Sequence, residues 1–278
     1  MLRPSDPRIH YSGPVRAVIF DWAGTTVDYG SLAPVNALVQ LFARHGVTVS
    51  VKEARLPMGK HKREHIRQIL GSDNIAAAWA SIQGKPHSNE DVDKLYREFV
   101  PLQVEVISQY AELIPGTADT IRWLRSRGVK IGSTTGYTRE MMGNLLEAAA
   151  QQGYRPDCIV CADDVPAGRP SPWMALQAAM KLETYPMQAC IKVGDTGADI
   201  EEGLNAGMWT VAMVRSGNEL GLSQMDAESL PPNELAARIS QASNRLLQAG
   251  AHYTADDISE LPLIVEAVDG RLSRGEKP

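Results

Sequence analysis

VRAVIFDWAGTTVD, residues 15–28, is an apolar run that stops at a carboxylate and turns on a glycine. Val15 to Phe20 has the β-branched and aromatic content of a buried strand. Asp21 ends that strand and Gly24 sits in the turn that follows. In open parallel sheets ligands bind in the crevice beyond the carboxyl ends of the strands. The Asp21 carboxylate is therefore expected at a ligand-binding edge.

Similar runs recur at 129–134 (VKIGST), 157–161 (DCIVC), 189–194 (ACIKVG) and 209–214 (WTVAMV), separated by helical patterns. This alternation predicts an α/β protein with a doubly wound, Rossmann-like parallel sheet. Thr117 or Thr138 can cap helix starts, Ser171-Pro172 supplies a cap with a first-turn proline, and Gly153 and Gly207 suit helix stops.

Residues 31–108 lack a comparable strand run. PVNALVQLFARHG, REHIRQILG and NEDVDKLYREFVPLQVEVISQY instead repeat apolar residues every three to four positions. An all-helical cap domain, 31–108, is thus expected inside an α/β core domain made of 1–30 and 109–278. Helices at 233–248 and 254–268 are expected to close the chain.

At 278 residues and 44% hydrophobic, the chain can bury one α/β core and a smaller accessory unit. Its net charge of −5 gives no general attraction to nucleic acid or to an anionic membrane. An anionic substrate would need a local cluster of positive charge. The start MLRPSDPRIHYSGP is polar and proline-rich, unlike a signal sequence, and a cytoplasmic location is expected. Cys158, Cys161 and Cys190 suit a reducing compartment. Positions three apart on a strand face opposite ways, so the C-x-x-C pair is read as structural.

Four later groups follow strands at the edge where Asp21 is expected: Thr135 in GSTTGY, Arg169 in VPAGRPSP, and Asp195 with Asp199 in KVGDTGADI. Clustered carboxylates repel one another without a cation, and hard oxygen ligands suit Mg²⁺. The ordered set D-x-x-G-T, a strand-ending Thr, a basic residue before Pro and G-D-x-x-x-D resembles the haloacid dehalogenase superfamily. That resemblance implies Asp21 as nucleophile, Thr135 and Arg169 as holders of phosphoryl oxygens, and Asp195 as a ligand of Mg²⁺. Asp199, one helical turn on, is expected to support the site rather than to bind the metal directly.

Most phosphatases of this superfamily carry a second Asp two residues after the nucleophile, which protonates the leaving alkoxide. Here that position is Ala23. Its carbonyl can serve the metal, but it has no side chain for general-acid catalysis. The segment LPMGKHKREHI, 56–66, bears on this departure. If helical from about Pro57, it places Met58, Lys62 and His65 on one face and Lys60 about 200° from Lys62. Lys60, Arg63 and protonated His61 and His65 would lower the pKa of the Lys62 amine toward a nucleophilic state.

VIFDWAGTTVDYG, ARLPMGKHKREH, IGSTTGYTREMM, DDVPAGRPSPW, IKVGDTGADIEEG and NAGMWTV together resemble the phosphonatase branch of the superfamily over nearly the whole chain. The resemblance implies hydrolysis of phosphonoacetaldehyde, with Lys62 forming a Schiff base and Met58, His65 and Tyr137 lining the site. Ser31 stands where some members have Cys. A homodimer through the cap is also implied, with Trp79 and the run Leu38 to Phe42 as a contact surface. Other readings are a sugar-phosphate phosphatase or mutase of the same superfamily, a non-catalytic sensor, or a zinc hydrolase using His61 and His65 of H-x-x-E-H.

Overall fold

The computed structural model describes residues 11–278, so residues 1–10 of the polar amino-terminal stretch lie outside the described residues. The chain runs β1 (Ala17–Phe20), then α1 (Leu32–Arg44), α2 (Val51–Arg55), α3 (Lys62–Leu70), α4 (Asp73–Gln83) and α5 (Asn89–Ile107). Next come α6 (Thr117–Ser126), β2 (Lys130–Thr135), α7 (Arg139–Gln151), β3 (Cys158–Cys161), α8 (Trp173–Lys181), β4 (Cys190–Gly194), α9 (Gly197–Asn205) and β5 (Trp209–Met213). The last elements are α10 (Gln224–Ser229), α11 (Pro232–Gln248), β6 (Tyr253–Ala255) and α12 (Leu261–Ser273).

The strands form one parallel sheet in the order β3-β2-β1-β4-β5-β6. β1 is central, and the order reverses beside it, which is the topology of a doubly wound sheet with its ligand crevice at the switch point. Successive β1 side chains enter opposite cores: Val18 and Phe20 join one apolar cluster, Ala17 and Ile19 the other. On β3, Cys161 packs on the first face and Cys158 on the second. The two thiols are free and cannot chelate together.

The five helices after β1 bury their own apolar faces. Leu38, Leu41, Phe42, Leu95 and Phe99 are fully covered, and each such side chain is worth about 1.5–3 kcal/mol of burial. Trp79 is also buried. The side chains expected to form a subunit contact surface are therefore spent inside the chain. Among the described residues no helix is long and apolar enough to cross a membrane.

Four local expectations need correction. The tail forms β6 before α12, because Tyr253–Ala255 pairs with Val211–Met213 where a helix from 254 was expected. Pro172, not Ser171, occupies the position before α8 and makes no side-chain cap, and Gly116 precedes the first turn of α6, which Thr117 begins. Thr138 does cap α7. No helix starts at Pro57. Gly59 takes φ +84° with Thr196 and Ala198 against it, a left-handed backbone that breaks a helix. α3 starts at Lys62, where the His61 ring accepts the Arg63 N–H at 3.2 Å.

Candidate active site

Asp21 follows β1, Thr135 ends β2, Arg169 precedes α8, and Asp195 follows β4. The helical insert contributes Ser31, Pro34, Met58, Gly59 and Lys62 to the same cavity, which Ala23, Gly136, Tyr137 and Thr196 complete. Room for water-sized groups inside is about 20 Å³, enough for one or two waters. In this position the insert leaves little free room between Lys62 and Asp21.

The insert meets the core backbone to backbone. A side chain at Gly136 would lie 3.0 Å from the Lys60 carbonyl, and one at Gly168 would lie 3.4 Å from His61 Cβ. Segment 57–61 thus rests on the loops after β2 and before α8. It delivers Lys62 across from Asp21.

Arg169 is the hub of the core side. Its guanidinium donates to Asp21 Oδ1 at 2.9 Å, to Glu202 Oε2 at 2.9 Å, and to the Thr134 carbonyl and hydroxyl at 3.0 and 2.8 Å. Asp199 Oδ1 lies 3.1 Å from the same guanidinium. Lys192, fully buried in the middle of β4, reaches Asp199 Oδ1 at 2.8 Å and Glu202 Oε2 at 3.5 Å. Asp199 is also the third-residue partner of Thr196 in the capping box of α9, accepting from the Thr196 hydroxyl at 2.5 Å. Thr135 Oγ1 accepts the Tyr137 N–H at 3.1 Å.

Asp21, Asp195 and Asp199 bring carboxylate oxygens within 4.8 Å of one another. Asp195 Oδ2 accepts the Asn218 N–H at 2.8 Å, and Oδ1 has the Thr25 hydroxyl at 3.5 Å. Burial, then Asp21 and Asp199, push the Asp195 carboxyl well above its ordinary range. Asp21 is also raised, by burial against the pull of Arg169. Arg169 and Lys192 are the buried cations among Asp21, Asp195, Asp199 and Glu202, and Lys62 faces this negative excess across the cavity. Hard oxygen donors with uncompensated charge are what a divalent cation requires. The residues therefore fit a metal ion.

The Lys62 amine is buried and its pKa is pushed down to about 8. Burial is the main cause, Asp21 opposes it, and Arg169 adds to it. Desolvation, rather than a basic helix face, thus depresses this amine. Lys60 points elsewhere and binds Gln68 Oε1 at 3.0 Å.

His65 is not on the cavity wall. One ring nitrogen lies 2.7 Å from the Ala54 carbonyl, and burial followed by Lys62 drives its pKa down to about 3, so the ring is neutral. Among the described residues the metal-competent cluster is Asp21, Asp195 and Asp199, and His61 and His65 belong to no group of three ligands, so the zinc reading lacks a third ligand. Sequence reasoning missed Lys192, Glu202, Thr134 and Asn218. A lysine inside the apolar strand ACIKVG was the available signal, because lysine is almost never fully buried unpaired.

The haloacid dehalogenase-like hydrolase profile matches residues 15–207. A phosphonoacetaldehyde hydrolase of Nitratidesulfovibrio vulgaris (Miyazaki F) is 50% identical over 268 residues, 96% of either chain. One of Syntrophobacter fumaroxidans is 46% identical over 268 residues, 96% of this chain and 97% of that one. The crystal structure of a phosphonoacetaldehyde hydrolase-like protein from Oleispira antarctica superposes with a TM-score of 0.97, at 47% identity and full coverage of both chains. Sheet order, insert and near-full-length identity agree: the chain belongs to the haloacid dehalogenase-like hydrolases, within the phosphonoacetaldehyde hydrolase family.

Proposed function

We propose that the chain hydrolyses the carbon–phosphorus bond of phosphonoacetaldehyde, giving acetaldehyde and phosphate. One observation carries this reading. A buried amine with a pKa near 8 shares a cavity with the Asp21 carboxylate, while Ala23 leaves no side-chain acid two residues on.

In its neutral form Lys62 adds to the aldehyde carbon and water leaves, giving a protonated imine. An Asp21 oxygen then attacks phosphorus. The electron pair of the breaking C–P bond moves into the iminium, which becomes an enamine, so no free carbanion forms. No leaving-group proton is needed from position 23. Arg169 and Thr135 hold the phosphoryl oxygens, and the insert closes over the site to exclude bulk water. Water cleaves the aspartyl phosphate and restores Asp21. The enamine takes a proton on carbon, and a second water releases acetaldehyde and the Lys62 amine.

Mg²⁺, held by Asp21, the Ala23 carbonyl and Asp195, would supply the positive charge that offsets repulsion between the attacking carboxylate and the phosphoryl oxygens. Asp199 supports the site through Lys192 and Arg169. Met58 and Tyr137 shape the amine's surroundings, and the neutral His65 ring packs behind the wall on the Ala54 carbonyl. Under this reading 31–108 is a cap domain on a core of 1–30 and 109–278, the enzyme is cytoplasmic, and it forms a homodimer through a cap surface other than the buried Trp79 and Leu38–Phe42 side chains. Light scattering tests the dimer, and a monomer at micromolar concentration would refute it.

The deciding experiment is reductive trapping. Borohydride added with phosphonoacetaldehyde should inactivate the enzyme and leave a secondary amine on Lys62, located by peptide mass spectrometry. Lys60 is the internal control. Lys62→Arg keeps the charge but cannot condense with a carbonyl, so it should abolish turnover. Label on Lys60, or an active Lys62→Arg enzyme that cleaves phosphate esters, would return the chain to the ordinary phosphatases.

A further inference from the structure

Arg55 ends α2 in the helical insert, yet its guanidinium is bonded almost entirely to the core. It donates to the Gly30 carbonyl at 2.8 Å, to Asn218 Oδ1 at 3.0 Å and to the Gly221 carbonyl at 3.1 Å, with the Ser31 carbonyl at 3.5 Å. Gly30 and Ser31 form the crossing from core to insert. Asn218 and Gly221 belong to the loop after β5.

That loop is the one that holds Asp195. The Asn218 N–H donates to Asp195 Oδ2 at 2.8 Å, and Gly217 lies so close that a side chain there would meet Asp195 Cβ at 2.9 Å. The two hydrogen bonds of Asn218 therefore point in opposite directions, its amide N–H to Asp195 and its side-chain oxygen to Arg55. The loop is tied back to the crossing as well, since the Gly30 N–H donates to the Ser216 carbonyl at 2.7 Å. Gly221 sits at φ +67°, and a side chain there would lie 2.8–2.9 Å from the Arg55 guanidinium. The loop is thus shaped to receive a flat, forked cation.

We propose that Arg55 is a positioning residue that couples closure of the insert to the setting of Asp195. With the insert closed, the fork fixes Asn218, and Asn218 fixes the Asp195 carboxylate toward Asp21. When the insert swings away to admit substrate, the fork leaves and the loop loses that restraint. The site then holds its metal tightly only in the closed state. This inference rests on the reading of Asp195 as a metal ligand.

Charge and geometry make opposite predictions, which is what renders the idea testable. Arg55 is a cation near Asp195, Asp28 and Glu219, so a purely electrostatic role would weaken binding of a divalent cation. Replacing it by methionine would then tighten binding, and lysine would behave like arginine. A positioning role predicts the reverse, because lysine keeps the charge but lacks the fork.

The experiment titrates the full-length protein with Mn²⁺ alone, read by electron paramagnetic resonance. The proteins are wild type, Arg55→Lys, Arg55→Met, Asn218→Ala, the double variant Arg55→Lys with Asn218→Ala, and Asp195→Asn. Thermal melts and amide hydrogen exchange of 216–221 are measured in parallel. Arg55→Lys and Asn218→Ala should each weaken Mn²⁺ binding by about tenfold, with faster exchange at the Asn218 amide. The double variant should be no worse than either single one. Asn218→Ala keeps the backbone N–H, so it carries the test even if Arg55→Met fails to fold. If Asp195→Asn loses Mn²⁺ while Arg55→Lys and Asn218→Ala bind it normally, the coupling is refuted and the metal reading stands. If Asp195→Asn itself binds Mn²⁺ normally, the metal reading has failed and the proposal falls with it.

Discussion

Met58 Sδ lies 3.7 Å from Lys62 Nζ, and the Tyr137 ring centroid lies 5.3 Å from the same nitrogen. A thioether is a weak acceptor and solvates an ammonium far less well than water does. The pair sits in a cavity with little room for water, and burial brings the amine down to about 8. The helix break at Gly59 does not separate them, because the turn at 57–61 returns Met58 to the Lys62 side chain.

The pH dependence follows from that shift. Below about 8 Lys62 is protonated and inert toward a carbonyl, and above it the free amine is present. As pH rises, log kcat/KM should climb with unit slope toward about 8 and then level off. Unperturbed lysine would place the break near 10.4. A break there would show that desolvation does not act on this amine.

Asp21→Asn should lower phosphate release by at least about 10⁴-fold, because the amide has the shape of the nucleophile but not its anion. Lys62 should still be trapped by borohydride in this variant. Separating imine formation from phosphoryl transfer is the informative part. If Asp21→Asn released phosphate normally, with deamidation excluded by mass, another nucleophile would have to be found.

Metal removal is a separate handle. Chelation should abolish turnover and readdition of Mg²⁺ should restore it, because Asp21, Asp195 and Asp199 crowd their charge within 4.8 Å. Asp195→Asn should shift the Mg²⁺ dependence upward by at least about tenfold. Full activity in excess chelator would contradict the donor set described above.

Much of this was legible in the sequence because strand ends announce themselves. Asp21, Thr135 and Asp195 each terminate an apolar run, and the topology of a parallel sheet brings such ends to one edge. β6 was not legible: Tyr253–Ala255 is three residues long and pairs only at the sheet margin, too short for a periodic signal. The break at Gly59 was visible as a glycine but outweighed by the helical spacing around it. His65 shows the limit of face arguments. It shares a buried helix with Lys62, yet the choice between cavity and Ala54 depends on where α2 packs, which no local pattern encodes. Lys192 and Glu202 were hidden for another reason. Their role exists only once β4 and α9 stack on Arg169.

Lys192 supplies the last prediction, since it separates the support of the site from its chemistry. Its nitrogen is fully buried, 2.8 Å from Asp199 and 3.5 Å from Glu202. Lys192→Met nearly preserves the volume, so the change removes a charge without opening a cavity. Asp199 and Glu202 would then keep Arg169 as their one neighbouring cation, beside the Thr196 and Thr134 hydroxyls, and breaking a buried ion pair from one side costs about 3–5 kcal/mol. For a chain of this size that corresponds to a fall in Tm of about 6–20 °C, measured by calorimetry or circular dichroism. Neutralising a partner should relieve the imbalance, so Lys192→Met with Glu202→Gln should melt above Lys192→Met alone. Arg169, drawn further toward the acids, should hold phosphoryl oxygens less well, and kcat should fall in the folded single variant while borohydride trapping at Lys62 persists. A single variant that melts within about 1 °C of wild type would mean that Arg169 suffices to balance both carboxylates and that Lys192 is a passive occupant of the strand.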